Sequence, residues 1–382
     1  MRALVFTGPG QMELRDEPLP EPGADEVLVT VEASGICGSE LHGFRSVGMR
    51  KPPLIMGHEF AGRTPDDTRV VVNPLHTCGR CPACRAGRTP VCRNRQLLGV
   101  HRAGGFAEQV AVPAGSLHAL PDGLDWTAAA LIEPLANAVH AWRLAAPGPA
   151  GRAATAEAAA TASTAATAGT AGAGGGSGAA VAGAAIAPVT PASAALPSAS
   201  TVSAASAPPP PQPTGPIAIL GAGAIGLVCL LVARHRGATD VVVADPSPQR
   251  RAIAEALGAE TVADLTSYGP ASGFDIVFDA VGVPATRAAS LERLAPAGTA
   301  LWLGLAAAEA TVDGNDIVRS EKRVLGSFAY SDADFSEAVA LAASVDLDWA
   351  TPVPMSRAHT TFMELAGGRT DIIKAVLRRE ED

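Results

Sequence analysis

The sequence has few aromatic residues, few cysteines and no excess of positive charge. Phe, Trp and Tyr together make up 4% of its 382 residues, and only six residues are cysteine. Lys and Arg number 29 against 38 Asp and Glu, which gives a net charge of −9 at pH 7. A protein that binds a nucleic-acid backbone needs a basic surface, so this composition argues against nucleic acid as a partner.

The sequence also lacks the features of targeting and membrane-spanning segments. The first residues, "MRALVFTGPGQMELRDEP", contain one short apolar run, which is too little for a signal peptide, so we expect a cytoplasmic protein. Residues 216–233 are uncharged and their 18-residue length is near the lower limit for a membrane helix. Glycines at 221, 223 and 226 divide this run into a strand-like and a helix-like part, and we therefore predict no membrane contact.

Residues 147–214 differ in composition from the rest of the chain. All but eight of these 68 residues are Ala, Gly, Ser, Thr or Pro, and none is aromatic. Such a segment buries too little apolar surface to offset its loss of conformational entropy on folding. We predict a disordered insert between two folded blocks, 1–146 and 215–382.

Four of the six cysteines lie within fifteen positions, in "CGRCPACRAGRTPVC". Four thiolates at this spacing favour a closed structural zinc site, in which no position is left for a substrate. A disulfide framework would require an oxidising compartment, and the spacing alone does not exclude an iron–sulfur cluster. The predicted zinc ligands are Cys78, Cys81, Cys84 and Cys92.

A second set of metal-ligand residues comes from three separate segments, "GICGSELHGF" (35–44), "GHEFAG" (57–62) and "LIEPLANAVHAW" (131–142). They supply Cys37, His58, Glu59 and Glu133. A catalytic zinc typically has three protein ligands and an open fourth position. Taken singly, each residue has a structural explanation, such as a core cysteine or an acidic residue that is favourable at a helix N-terminus.

Residues 217–245 predict a dinucleotide-binding βαβ unit. A strand-like run ends in Gly221-X-Gly223-X-X-Gly226, a helix-like run follows, and "VVVAD" ends the next strand at Asp245. A carboxylate there accepts hydrogen bonds from the adenine ribose and repels a 2′-phosphate, which favours NAD over NADP. Arg250, which lies nearby, is compatible with either cofactor.

These motifs occur together and in the order typical of one family. The chain resembles the zinc-containing medium-chain alcohol dehydrogenases, particularly the polyol (sorbitol) and threonine dehydrogenase branch, over nearly all of its length outside 147–214. The resemblance implies an α/β protein with a GroES-like β-barrel catalytic domain, residues 1–146 and 325–382, and a doubly wound Rossmann NAD-binding domain, residues 215–324.

The resemblance also assigns roles to residues. It implies that Cys37, His58 and Glu59 hold a catalytic zinc, and that Glu133 either binds this metal or hydrogen-bonds its water. Ser39 and His42 resemble the family's proton relay. Lys374 lies where relatives have a basic residue near the cofactor phosphates, although a solvated lysine is an equal alternative.

The function implied is oxidation of a secondary alcohol (a polyol, sugar or amino alcohol) by hydride transfer to NAD from an alkoxide at the zinc. We expect two Zn²⁺ per chain and a homo-oligomer, either a dimer or a tetramer. The alternative is a non-catalytic NAD-binding sensor or scaffold of the same fold. The sequence departs from the family at Glu40, where Asp is common, and in the short segment "RTPDDTR" (63–69).

Overall fold

A computed structural model describes residues 1–46, 48–145, 215–266, 268–369 and 371–380. The predicted disordered insert at 147–214 lies outside the described residues. The described parts of the chain before and after it form one compact unit.

Strands dominate the first 120 residues and return near residue 351. The strands outside the nucleotide-binding part are β1 (Arg2–Gly8), β2 (Gln11–Asp16), β3 (Glu26–Gly35), β4 (Leu54–Ile55), β5 (Glu59–Arg63), β6 (Arg69–Val72), β7 (Leu75–His76), β8 (Gln96–Leu97), β9 (Gln109–Pro113), β10 (Leu117–Ala119), β17 (Thr351–Pro354) and β18 (Ala375–Arg378). The strands between β10 and β17 are β11 (Ile217–Leu220), β12 (Val241–Ala244), β13 (Glu260–Val262), β14 (Phe274–Asp279), β15 (Leu294–Trp302) and β16 (Arg323–Gly326).

The helices are short in the first part of the chain and longer around the second sheet. They are α1 (Gly38–Gly43), α2 (Pro82–Arg85), α3 (Trp126–Ala130), α4 (Ile132–Ala145), α5 (Ala224–His235), α6 (Pro248–Ala256), α7 (Pro284–Glu292), α8 (Gly314–Arg319), α9 (Asp332–Ala342) and α10 (Ala358–Ala366). Local sequence signals explain where several of these helices begin. Ser247 caps α6, which has Pro at its first position, and Ser331 forms a capping box with Asp334 at the start of α9.

The central strand of the barrel-like part is β3. The sheet order is β10-β6-β5-β3-β18-β17, and β9 also pairs with β3. Strand β3 is antiparallel to β5, β9 and β18, so the last strand of the chain is inserted beside one of the first. The C-terminal strand therefore lies in the same sheet as strands from the first part of the chain.

The second sheet has the order β13-β12-β11-β14-β15-β16, and all its neighbouring strands are parallel. Residues of β11 and β12 are buried throughout, as expected for apolar strands covered on both faces. This sheet confirms the predicted doubly wound fold. The predicted domain boundary at residue 324 falls inside β16, whose residues 323–326 pair with β15.

Helix α4 joins the two parts. Its residues Leu135, Val139 and Trp142 are buried in the same hydrophobic cluster as α5, β11 and α9. The first turn of α4 therefore has a fixed position relative to both sheets. None of the helices in the described ranges has the length and apolar character that crossing a membrane requires.

Candidate active site

Pairing of β3 with β5 brings the first three predicted metal ligands together. Gly35 lies opposite Glu59 in this pairing, Cys37 follows two residues later as the N-cap of α1, and His58 immediately precedes β5. The Cys37 sulfur, a ring nitrogen of His58 and a carboxylate oxygen of Glu59 lie within 4.8 Å of one another. A side chain at Gly35 would overlap the Glu59 carboxylate, so glycine is required beside this ligand.

Glu40 fixes the backbone and the ring around these ligands. Its Oε1 accepts a hydrogen bond from the Gly57 N–H (2.8 Å) and lies 3.0 Å from Nδ1 of His58, while Oε2 accepts one from the Cys37 N–H (2.9 Å). Nδ1 is thereby engaged, and Nε2 is the ring nitrogen left for a metal. Burial raises the pKa of Glu40, but the His58 charge and hydrogen bond outweigh it, and the net pKa is lowered.

Glu59 has a carboxylate oxygen that is available to bind a metal. Its Oε1 is buried and has no hydrogen-bond partner among the described residues. Its Oε2 forms an ion pair with Nζ of Lys374, whose side chain is only 3% exposed. The solvated alternative for Lys374 is therefore wrong, because the lysine directly precedes β18, is buried and is paired with Glu59. Its expected position near the cofactor phosphates stays a prediction.

Glu133 lies in the first turn of α4 and is also buried, but it is not part of the 4.8 Å ligand set. Its Oε1 accepts a hydrogen bond from the Tyr330 hydroxyl at 2.9 Å. Burial is the main cause that raises the pKa of Glu133 to about 7, and the nearby Glu59 charge also raises it. This geometry favours a hydrogen-bonding role for Glu133 over direct ligation.

The predicted relay residues lie on α1. Ser39 is exposed, and its Oγ donates to the Cys37 sulfur at 3.4 Å. His42 is exposed one turn further along the helix, and no hydrogen bond connects it to Ser39 in the described structure. Sequence reasoning missed Arg50, which donates to the Ser39 carbonyl (3.2 Å) and approaches its Oγ (3.5 Å). No motif includes Arg50, so only the tertiary structure places it here.

The four clustered cysteines converge as predicted. One sulfur from each lies within 4.8 Å of the others, and none of them is in a disulfide. Cys81 is the N-cap of α2, and backbone N–H groups at Arg80 and Cys81 lower the pKa of Cys78 to about 6. The pKa of Cys81 is also lowered, whereas burial raises the pKa of Cys84 to about 11. The convergence of the four sulfurs suits a metal, and the free cysteines argue against the disulfide alternative. The sixth cysteine, Cys229, is buried in α5 away from both clusters.

The glycine loop between β11 and α5 has space for a cofactor. Gly221 has a φ of +96°, which favours glycine, and a side chain at Gly226 would overlap the Gly221 carbonyl. A Cβ at Gly223, the N-cap of α5, would meet no atom within 4 Å, so the helix N-terminus is open to an anion. The residues present therefore fit the pyrophosphate of a dinucleotide.

Asp245 lies directly after β12, beside the glycine loop. Its Oδ2 accepts from the Ala222 N–H and its Oδ1 from the Ser247 N–H, both at 2.8 Å. Arg250 Nη1 is 4.0 Å from Oδ2. The carboxylate thus connects the loop to the start of α6, at the position expected to contact the adenine ribose.

Comparison with known proteins finds two domain families in the chain. Residues 23–122 match the alcohol dehydrogenase GroES-like domain family, and residues 224–344 match the zinc-binding dehydrogenase family. L-threonine 3-dehydrogenases of Saccharopolyspora erythraea and Streptomyces coelicolor are 29% and 30% identical to the chain, and each comparison covers 97% of both sequences.

A solved structure shares the fold as a whole. The zinc-binding dehydrogenase of Sinorhizobium meliloti, bound to NADP, superposes with a TM-score of 0.76 at 28% identity. The superposition covers 99% of this chain and 98% of that protein. Full-length sequence similarity, two matching domain families and a shared fold lead to one conclusion. The chain belongs to the zinc-containing medium-chain alcohol dehydrogenase family and is an oxidoreductase.

Proposed function

We propose that this protein oxidises a secondary alcohol with NAD as the acceptor, at a zinc held by Cys37, His58 and Glu59. The observation that carries the proposal is the buried Glu59 Oε1, which has no hydrogen-bond partner in the described structure and lies with a thiol and an imidazole within 4.8 Å. Lys374 pairs with the other oxygen, Oε2, but a buried Oε1 without a hydrogen-bond partner is still costly, and a bound cation removes that cost.

When bound, zinc supplies a Lewis acid that favours the ionised form of the substrate hydroxyl, and NAD supplies the hydride acceptor. The chain supplies the proton path and the orientation. Ser39 Oγ, next to the Cys37 sulfur, accepts the hydroxyl proton of the substrate and passes its own proton to water or to His42, because both side chains are exposed. Glu133, held by Tyr330, contributes a carboxylate beside the reacting oxygen without occupying a ligand position.

The proposed cofactor preference rests on Asp245. Its carboxylate is buried and accepts two backbone hydrogen bonds, which hold it where a 2′-phosphate would have to lie. The Sinorhizobium meliloti relative is bound to NADP, and the nearby Arg250 is the residue here that would assist a phosphate. We propose NAD because the carboxylate contacts the loop directly, whereas Arg250 does not.

The proposed substrate class rests on the relatives. The similar Saccharopolyspora and Streptomyces proteins are L-threonine 3-dehydrogenases, which supports an amino alcohol or polyol with a secondary hydroxyl. We propose that Cys78, Cys81, Cys84 and Cys92 hold a second, structural zinc. Four reduced thiols are consistent with a cytoplasmic location, and a dimer or tetramer is proposed from the family resemblance.

The first test is zinc per chain by elemental analysis, together with NAD reduction on a panel of polyols and amino alcohols. We expect two zinc ions in the wild type and one in Cys37→Ala, with loss of activity, because the variant removes one of three ligands at an open site. The matched control is Cys229→Ala, which removes the cysteine outside both clusters and should retain two zinc ions. One zinc in both the wild type and Cys37→Ala would favour the NAD-binding sensor instead.

A further inference from the structure

Arg50 is a buried cation without an acidic partner. It is only 7% exposed, its Nε has no hydrogen-bond partner, and no carboxylate oxygen of the described residues lies within 4 Å of its guanidinium. Its recorded hydrogen bonds go to Ser39 alone, through the carbonyl (3.2 Å) and the hydroxyl (3.5 Å). A buried charge of this kind is costly unless an anion compensates it.

The position of Arg50 is set by α1. The guanidinium lies along the helix face formed by Ser39 and Gly43, and a side chain at Gly43 would overlap Nη1. Ser39 Oγ in turn contacts the Cys37 sulfur at 3.4 Å. The Ser39 hydroxyl therefore lies between the guanidinium of Arg50 and the sulfur of Cys37, a predicted zinc ligand.

Nearby protein charges do not satisfy this guanidinium. Glu40 is the carboxylate whose pKa Arg50 helps to lower, but it lies beyond ion-pair distance. Both Glu40 oxygens already accept hydrogen bonds from the Cys37 and Gly57 amides, and Oε1 also contacts His58. None of the described carboxylates therefore pairs with this guanidinium.

We propose that Arg50 binds an anionic group of the substrate, so that the preferred substrates are short secondary alcohols with a carboxylate or phosphate near the carbinol carbon. The inference rests on the proposed function and narrows its substrate class. A guanidinium presents paired N–H donors that match either anion. The cofactor pyrophosphate is the less favoured occupant. The helix N-terminus that would bind it is at Gly223, next to the parallel sheet, whereas Arg50 contacts Ser39, whose hydroxyl donates to the Cys37 sulfur.

The test compares matched charged and neutral alcohols. The pairs are 3-hydroxybutyrate with 3-hydroxybutyramide, and glycerol 3-phosphate with glycerol, and both kcat and KM are measured on the zinc-loaded enzyme with NAD. We expect the wild type to prefer the charged member of at least one pair. Arg50→Met should lower that charged-to-neutral ratio of kcat/KM at least about 10-fold, mainly through KM, as loss of a charged hydrogen bond predicts. Arg50→Lys should lower it less.

A control and a binding measurement separate this role from a structural one. Arg45→Met removes the same charge from an exposed side chain that bonds the Ala366 carbonyl, and it should leave the ratio unchanged. Calorimetric binding of 3-hydroxybutyrate, or of glycerol 3-phosphate where the phosphate pair carries the preference, needs no turnover and should weaken in Arg50→Met by a similar factor.

Three results would overturn the proposal. Equal use of charged and neutral alcohols by the wild type would refute the anionic substrate class while leaving the dehydrogenase function intact. An increase of KM for NAD alone in Arg50→Met would assign Arg50 to the cofactor phosphates. No NAD reduction with either pair or with neutral polyols, by protein that holds two zinc ions, would refute the proposed function itself.

Discussion

Glu40 fixes the relative positions of three groups at the metal site. It contacts the Cys37 amide, the Gly57 amide and the His58 ring, and it is fully buried. The ring orientation of His58 depends on its contact with the Glu40 carboxylate.

Glu40→Gln should weaken zinc binding at the Cys37 site by about 10- to 100-fold, the usual cost of losing a carboxylate that orients a metal-bound histidine. The amide nitrogen of Gln would face a backbone N–H or the His58 ring, and one of these contacts would be lost. Competition with a metal chelator measures the affinity of each of the two zinc ions separately.

Glu309→Gln, at an exposed residue, is the matched control for this change and should leave both zinc affinities as in the wild type. Equal zinc affinity in Glu40→Gln and the wild type would mean that Glu40 does not orient His58.

At the level of residues, the sequence predicted the metal ligands that lie within short sequence motifs. Cys37, His58 and Glu59 lie in short motifs, and β3–β5 pairing brings them together. Arg50 and Lys374 could not be assigned in this way. Their contacts with Ser39 and Glu59 depend on how separate segments pack, and neither residue has a spacing pattern that distinguishes it from a surface cation.

One buried carboxylate makes several of the polar contacts between α4 and α9. Asp334, in the first turn of α9, accepts a hydrogen bond from the Ser331 hydroxyl (2.6 Å) and lies 2.9 Å from Nδ1 of His140 on α4. Arg143 forms an ion pair with its other oxygen at 3.0 Å. Burial raises the pKa of Asp334, but the hydrogen bonds from His140 and Ser331 outweigh it, and the net pKa is lowered.

Asp334→Asn should reduce the free energy of unfolding at pH 7 by about 2 to 3 kcal/mol, because a buried charge-assisted contact is lost. The folded pKa of Asp334 lies below the unfolded value of about 3.9, so its stabilisation is present above that pH and is lost as the pH falls through the folded pKa. The difference between the variant and the wild type should therefore shrink below about pH 4.

Denaturant unfolding at pH 7 and at about pH 3 measures this difference. The exposed Asp348 gives the control variant Asp348→Asn, for which a change within about 0.5 kcal/mol is expected. A cost for Asp334→Asn that is the same at both pH values would show that the charge of Asp334 does not stabilise the helix contact.

At the level of elements, apolar runs predicted the strands of the parallel sheet, since β11 and β12 have the buried pattern that such runs require. The domain boundary was harder to predict. Apolar and polar residues alternate no more clearly around residue 324 than in the flanking sequence. Strand β16 is assigned to the sheet by its pairing with β15. Strand pairing is a tertiary contact, so propensity alone does not fix where a domain ends.

For the whole molecule, the position of the segment 147–214 in the chain determines what its removal should do. Helix α4 ends at Ala145 and β11 begins at Ile217, so the segment enters at the amino end of the first parallel strand. Cofactors bind at the carboxyl ends of such strands. Deletion of 149–213 should therefore leave kcat and the affinity for NAD nearly unchanged.

Steady-state kinetics and NADH fluorescence titration of the deletion protein test this expectation. A second protein, in which a Gly/Ser sequence of equal length replaces 149–213, distinguishes the effect of composition from the effect of length. A large loss of kcat in a deletion protein whose circular dichroism matches the wild type would contradict it and would give the segment a part in the reaction.

The insertion of β18 beside β3 also has a consequence for the order of folding. Val376 pairs with Gly35, so the sheet that carries Cys37 and Glu59 is complete only when segments from opposite ends of the chain have met. The parallel sheet needs only residues 217–326, which are contiguous. Contacts of long sequence separation form slowly, and domains fold as units during synthesis. We expect the nucleotide-binding sheet to be native on or soon after leaving the ribosome, while the pocket for the catalytic metal matures last.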